Sequence, residues 1–297
     1  MKMIKAKPFL KWAGGKGQLL GEIKKYYPFE KNPNITKYAE PFVGGGAVLF
    51  DILNNFNLEE VYISDINKEL INTYIAIRDN SDELIEKLEQ SEKKYLRLSE
   101  SDKKNFYLQQ RERFNNLKKG QEENIEIAVL MIFLNKTCFN GLYRVNRKGE
   151  FNVPMGTYKK PLICDKDNLR TVSKKLQNVK IVCGDYKMSA NFIDEKTFVY
   201  FDPPYRPLTT TSSFTAYNEN IFNDKSQIEL AEFVQNLNEK GVPFVVSNSD
   251  PKNIDKNDNF FECIYAKQNI IRTEATRMIN SNSASRGKIK ELLIVNF

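Results

Sequence analysis

Apolar and polar positions along the chain alternate between two periods. Short runs rich in Val, Ile, Phe or Tyr fall at Tyr38–Glu40, Val61–Ser64, Val179–Cys183, Phe198–Phe201 and Phe244–Val246. Most are bounded by Asp, Gly, Pro or Asn, which is how buried strands end. Between them, Gly46–Asn54 and Lys68–Arg78 carry apolar residues at three- and four-residue spacing, the period of a helix with one buried face. Asn67 is placed to cap the second of these, and Asp224 to cap a helix running to Lys240. A further strand is expected over Glu291–Phe297, after a Ser/Asn/Gly loop at Asn280–Gly287. Strands alternating with helices predict an α/β fold around a mainly parallel, buried sheet.

Residues 81–135 break the alternation with charged, amphipathic helical stretches and no strand pattern. A Gly-, Asn- and Arg-rich segment follows at Asn135–Pro161. The expected organisation is a main domain formed by 1–80 and 179–297, with 81–178 inserted as a helical segment carrying a basic loop or hairpin. The length of 297 residues suits that division.

Charge and composition narrow the partners. The net charge is +7 and its basic part is gathered. Lys136–Lys160 holds six basic residues and one acidic, and Lys267–Phe297 holds six and two. Such stretches suit a polyanion such as nucleic acid, although two solvated surfaces would read the same way. Histidine is absent, which excludes imidazole acid/base chemistry and His metal ligands. Cys138, Cys164, Cys183 and Cys263 contain no CxxC pair, so no metal is expected. The longest apolar run, Ile127–Leu134, is too short to span a bilayer, and no signal-peptide core opens the chain. A cytoplasmic protein without membrane partners is expected.

Five motifs carry candidate chemistry. Asp202-Pro203-Pro204-Tyr205 follows a strand directly, where open α/β sheets bind ligands. Two prolines remove two amide donors and leave carbonyl acceptors beside a carboxylate and a ring. Such a site can accept hydrogen bonds from an amino group while the ring stacks on a flat base, as on adenine drawn out of a helix. Glu40-Pro41-Phe42-Val43-Gly44-Gly45-Gly46 joins a strand to a helix by a glycine turn, without the Lys-Ser/Thr pair of a triphosphate loop. Asp65 ends a strand where a ribose-binding carboxylate would sit, or where a helix cap would. Asp185 follows another strand and reads as a ligand acceptor or a turn residue. Trp12 and Lys16 flank a glycine pair in Phe9–Lys16, and the Trp could equally be core.

Taken in order, FLKWAGGK, EPFVGGGAV, ISDIN, NGLYRVNRKGEFNVPMGTYKKP and YFDPPY closely resemble the Dam-type DNA adenine methyltransferases. The resemblance covers nearly the whole chain and weakens across 81–125. It implies a Rossmann-like AdoMet-dependent methyltransferase domain with an inserted DNA-recognition domain, acting on double-stranded DNA as a monomer or weak dimer. It implies AdoMet contacts at Trp12, Lys16, Glu40, Asp65, Asp185 and Asp202, and catalysis by Asp202, Pro203, Pro204 and Tyr205. It implies DNA contacts at Phe139, Asn140, Arg144, Pro154 and Tyr158. Arg144 would read guanine, and Phe139 would wedge into the duplex where some members use Tyr. GATC is the implied target, and Thr157 stands where some relatives carry Arg. Phe214–Tyr217 is implied to border the flipped base. Methylation of cytosine's amine or of an RNA base would use the same acceptors, and a DNA-binding protein without catalysis is the reading from another class.

Overall fold

The computed structural model describes residues 4–120, 124–206, 222–276 and 288–297. Its sheet is mixed but mostly parallel. The strands are β1 (Lys37–Glu40), β2 (Glu60–Asp65), β3 (Val179–Cys183), β4 (Thr197–Phe201), β5 (Phe244–Ser249), β6 (Asn269–Thr276) and β7 (Lys288–Val295). The order is β3-β2-β1-β4-β5-β7-β6. The α/β expectation therefore holds, with an antiparallel β5-β7-β6 edge.

The chain divides into two compact units. One comprises 16–42, 57–63 and 185–297, and contains most of the sheet. Its centre is β1 paired in parallel with both β2 and β4, with Tyr38 opposite Val61 on one side and Phe198 on the other. The rings of Tyr38 and Phe198 stack at 5.9 Å, both fully buried. Residues in these strands are buried on both faces, which is why they read as unbroken apolar runs rather than alternating ones. Successive strands are added outward on one side from β1 (β2, β3) and on the other from β4 (β5), making the carboxyl ends of β1 and β4 a topological switch point. The short helix α1 (Leu20–Ile23) and the longer α8 (Asp224–Glu239) also belong here. The cap of α8 is Asn223, which accepts from the Ser226 amide; Asp224, the expected cap, is the first helical residue instead. The correction is small in chain position but has a cause: the Asp224 carboxylate is engaged by Arg206.

The other unit comprises 1–15, 43–56 and 64–184. Its helices are α2 (Ala47–Asn55), α3 (Lys68–Asp79), α4 (Ser81–Arg97), α5 (Glu100–Leu117), α6 (Ile125–Thr137) and α7 (Lys166–Leu176). Asn67 caps α3 as expected, accepting from the Leu70 amide at 2.9 Å. Helix α6 is apolar all round, and Ile127–Leu134 are all buried. A helix without a polar face must be enclosed, and α3, α4 and α5 pack against it. No helix among the described residues is long and apolar enough to cross a membrane.

Within the segment expected to be a basic loop or hairpin, residues 138–156 double back, held by single bridges rather than long strands. Cys138 pairs with Met155 and Val145 with Phe151, both antiparallel. At its tip, Gly149 donates to the Asn146 carbonyl at 2.9 Å.

Candidate active site

In the sheet-bearing unit, the carboxyl ends of β1 and β4 place Glu40 and Asp202 at the switch point. Glu40 is 2% exposed and accepts from the Tyr38 hydroxyl at 2.7 Å. Burial, and then the Glu40 charge, push the Tyr38 phenol well above its ordinary value of 10.0, so Tyr38 remains a donor.

Asp202 sits in a built environment. Lys16 Nζ lies 2.7 Å from Oδ1, and Lys16 is only 5% exposed. The Ser247 hydroxyl donates to the same oxygen at 2.8 Å. Oδ2 accepts nothing from the described residues, and the side chain keeps 20% exposure. Two donors on one oxygen fix the carboxylate plane and leave the second oxygen for a ligand. A buried ion pair also keeps Asp202 from being an uncompensated charge.

The diproline is divided in the same way. The Pro204 carbonyl accepts from Gln227 Nε2 at 3.0 Å. Gln227 is fully buried on α8, and its Oε1 accepts from Asn248 at 3.1 Å. Asn248 Oδ1 in turn accepts from the Arg206 amide at 3.3 Å. The loop is thus clamped from β5 and α8. Tyr205 closes it: its hydroxyl donates to Glu291 Oε2 at 2.6 Å, and Lys16 Nζ stands 4.5 Å from its ring centroid. Asp185, also in this unit, is exposed and caps a 3₁₀ turn by accepting from the Lys187 amide at 2.9 Å.

In the other unit, Trp12, the glycine turn and Asp65 come together. Asp65 Oδ2 accepts from the Gly44 amide at 3.1 Å and Oδ1 from the Asn67 amide at 2.9 Å. Burial raises the Asp65 carboxyl above its ordinary 3.8 despite those amides. Gly44 has φ +48°, and a Cβ there would meet Trp12 Cδ1 at 2.9 Å. Gly46 has φ +71°, and a Cβ there would meet the Tyr74 hydroxyl at 2.5 Å. The glycines are therefore required both by backbone handedness and by an indole lying against them. Trp12 is half-buried and stacks on Tyr143 at 5.7 Å, so it is neither ordinary core nor free surface.

The same unit carries the hairpin residues. Phe139 is 50% exposed, and its amide donates to the Pro154 carbonyl at 2.9 Å. Asn140 follows at φ +55°, a left-handed conformation that Asn tolerates better than other side chains. Arg144 is exposed and donates from Nε to Asn152 Oδ1 at 2.8 Å. Tyr158 accepts from Lys11 Nζ at 3.2 Å. Phe214–Tyr217 lies outside the described residues.

Sequence reasoning did not single out Ser247, Asn248, Gln227, Glu291 or Lys11. Only Lys11 lay inside a quoted motif; the others are long-range partners without local signature.

Similarity to known proteins places the chain in a family. Residues 12–279 match the family model for D12 class N6 adenine-specific DNA methyltransferases. The chain is 49% identical over 296 residues to the type II methyltransferase M.MjaIII of Methanocaldococcus jannaschii, covering 99% of this chain and 100% of that one. It is 37% identical to the type II methyltransferase M1.LlaDCHI of Lactococcus lactis subsp. cremoris, covering 99% and 96%. It is 36% identical to the DNA adenine methylase of Escherichia coli K12, covering 98% and 95%.

Proposed function

Because this chain belongs to the D12 class of N6 adenine-specific DNA methyltransferases, we propose that it methylates adenine within GATC in duplex DNA, on a base extruded from the helix. Membership makes it an adenine-specific DNA methyltransferase and implies AdoMet as cosubstrate. The site, the target sequence and the division of labour along the chain are the proposal.

Each unit holds residues suited to part of AdoMet. Glu40 is a buried carboxylate suited to an ammonium, and Asp65 is a fixed carboxylate suited to ribose hydroxyls. Trp12 offers an indole beside the glycine turn. Lys16, Asp185 and Asp202 complete the proposed contacts. When bound, AdoMet supplies an electrophilic methyl group.

The protein's own residues then prepare the amine. An exocyclic adenine amine is a poor nucleophile because its lone pair delocalises into the ring. Asp202 Oδ2 and the Pro203 carbonyl each accept one of its two hydrogens and favour a tetrahedral nitrogen. Gln227 occupies the Pro204 carbonyl, so the amine has one backbone acceptor rather than two competing ones. Tyr205 stacks on the extruded ring, an interaction worth roughly 1–3 kcal/mol in single-strand binding. Proximity and alignment supply up to ~7–11 kcal/mol in well-oriented reactions. No covalent enzyme intermediate and no metal are required. Asp202 is an acceptor and need not be a strong base, because the proton can leave after transfer.

Segment 81–178 serves as the recognition insertion, with 1–80 and 179–297 catalytic. Arg144 reads guanine through its paired major-groove acceptors. Phe139 wedges into the duplex, and Asn140, Pro154 and Tyr158 shape the contact. Lys159 and Lys160 hold phosphates without reading sequence. The enzyme acts in the cytoplasm as a monomer or weak dimer on DNA.

The single observation that supports this most is the Asp202 carboxylate, with one oxygen held by Lys16 and Ser247 and the other unengaged by the described residues. A methyl-transfer assay with labelled AdoMet tests it. Label should enter GATC duplexes and neither GATC-free duplexes nor RNA. Equal labelling of duplexes lacking GATC would remove the sequence assignment.

A further inference from the structure

Tyr205 is restrained at the far end of its ring. Its hydroxyl donates to Glu291 Oε2 at 2.6 Å, a charge-assisted hydrogen bond to a carboxylate. Glu291 lies on β7 with strands on both sides, opposite Ser249 of β5 and Thr273 of β6. A residue laddered on both sides is a rigid anchor. Tyr205 itself sits outside any helix or strand. Lys16 Nζ stands over the ring at 4.5 Å. A bond at the para oxygen, the point farthest from Cα, fixes the direction of the ring axis, while the Lys16 ammonium over the ring opposes rotation about that axis. Burial, and then the charges of Asp202 and Glu291, keep the phenol protonated and therefore donating.

We infer that Glu291 is a positioning residue for adenine methylation: it anchors the Tyr205 hydroxyl and so holds the ring in the place where the extruded base stacks. This rests on the reading that Tyr205 stacks on that base. Glu291 touches neither substrate. Its effect belongs to the ordering of the flipped adenine, not to duplex affinity or AdoMet affinity. A strand glutamate with a merely structural role would act equally whether or not residue 205 carried a hydroxyl.

The test uses the full chain and a duplex that the wild type methylates, with 2-aminopurine in place of the target adenine for a fluorescence reading of flipping. Single-turnover methylation is measured on the adenine duplex. Glu291→Ala should slow that step by about tenfold or more, the size expected for losing a hydrogen bond to a charged group. It should reduce the fluorescence rise and leave the affinities for duplex and AdoMet unchanged. Glu291→Gln keeps an acceptor and should recover most of the rate. Tyr205→Phe should reproduce the loss, and adding Glu291→Ala to it should cost nothing more. Wild-type behaviour of Glu291→Ala overturns the inference. So does a Glu291→Ala loss of the same size with and without Tyr205→Phe, or a Gln variant as slow as the Ala variant. Tyr205→Ala separates the two layers. Full activity there overturns the stacking reading and the inference with it, whereas a slow Tyr205→Ala beside an unaffected Glu291→Ala overturns the inference alone.

Discussion

The ammonium of Lys16 lies 2.7 Å from Oδ1 of Asp202, with Lys16 nearly enclosed. The family resemblance implies a cofactor contact for this lysine. The geometry adds a second task, which is to hold the Asp202 carboxylate in one orientation. The two tasks are compatible, because a lysine has three donors.

Replacing Lys16 with Met should therefore slow turnover even when AdoMet is saturating. A charge-assisted hydrogen bond is worth about 1.5–3 kcal/mol, or roughly 10- to 150-fold in rate. Steady-state kinetics at saturating AdoMet and DNA check this. A defect confined to the KM for AdoMet would assign the lysine to cofactor binding alone.

Gly44→Ala should weaken both the fold and AdoMet binding. The new Cβ would lie 2.9 Å from the Trp12 ring at a left-handed φ. Strain and overpacking of this kind cost about 1–3 kcal/mol each. Thermal melting with and without AdoMet measures both effects. Trp12 is the only tryptophan, so its fluorescence reports on the same contact.

Arg144→Ala should cost about 1–3 kcal/mol of discrimination at one base position. Asn152 holds the guanidinium of Arg144 from two of its own atoms, so Asn152→Ala should give a smaller loss at the same position. Methylation rates on duplexes substituted one position at a time provide the measurement. A uniform loss on all sequences would make Arg144 a phosphate contact instead.

Acid should destabilise the sheet-bearing unit through Asp258. Burial raises this carboxyl, but the Phe260 amide and Arg206, at 2.6 Å, outweigh it and hold it below its ordinary 3.8. A carboxyl whose pKa is lower folded than unfolded adds stability that is fully present above its unfolded value, about 3.9, and lost as the pH falls through the folded one. The melting temperature should fall below about pH 4, and Asp258→Asn should flatten that fall while lowering stability at neutral pH. Melting curves from pH 3 to pH 7 check the shape; an unchanged acid limb in the variant would place the sensitivity elsewhere.

The strands that hold the site were legible where their residues are buried on both faces, as at Phe198–Phe201. Strand β6 was not, because it is an edge strand paired only with β7 and exposes Asn269, Arg272 and Glu274. The end of β5 was also missed. Ser247-Asn248-Ser249 looks like a loop, yet all three are buried in the strand. Each finds a distant partner: Asp202, Gln227 and the Arg206 carbonyl. The tetrapeptide Asp202–Tyr205 could be proposed as catalytic from local sequence because its chemistry is contiguous. The residues that orient it could not, because buried polar partners are chosen by tertiary structure and leave no spacing in the chain.

The most direct measurement is base-resolved methylation of DNA from cells expressing the chain, beside cells expressing Asp202→Ala. N6-methyladenine should be confined to GATC with the wild type and absent with the variant. Methyl groups on cytosine, methyladenine spread outside GATC, or an unchanged pattern with Asp202→Ala would contradict the account.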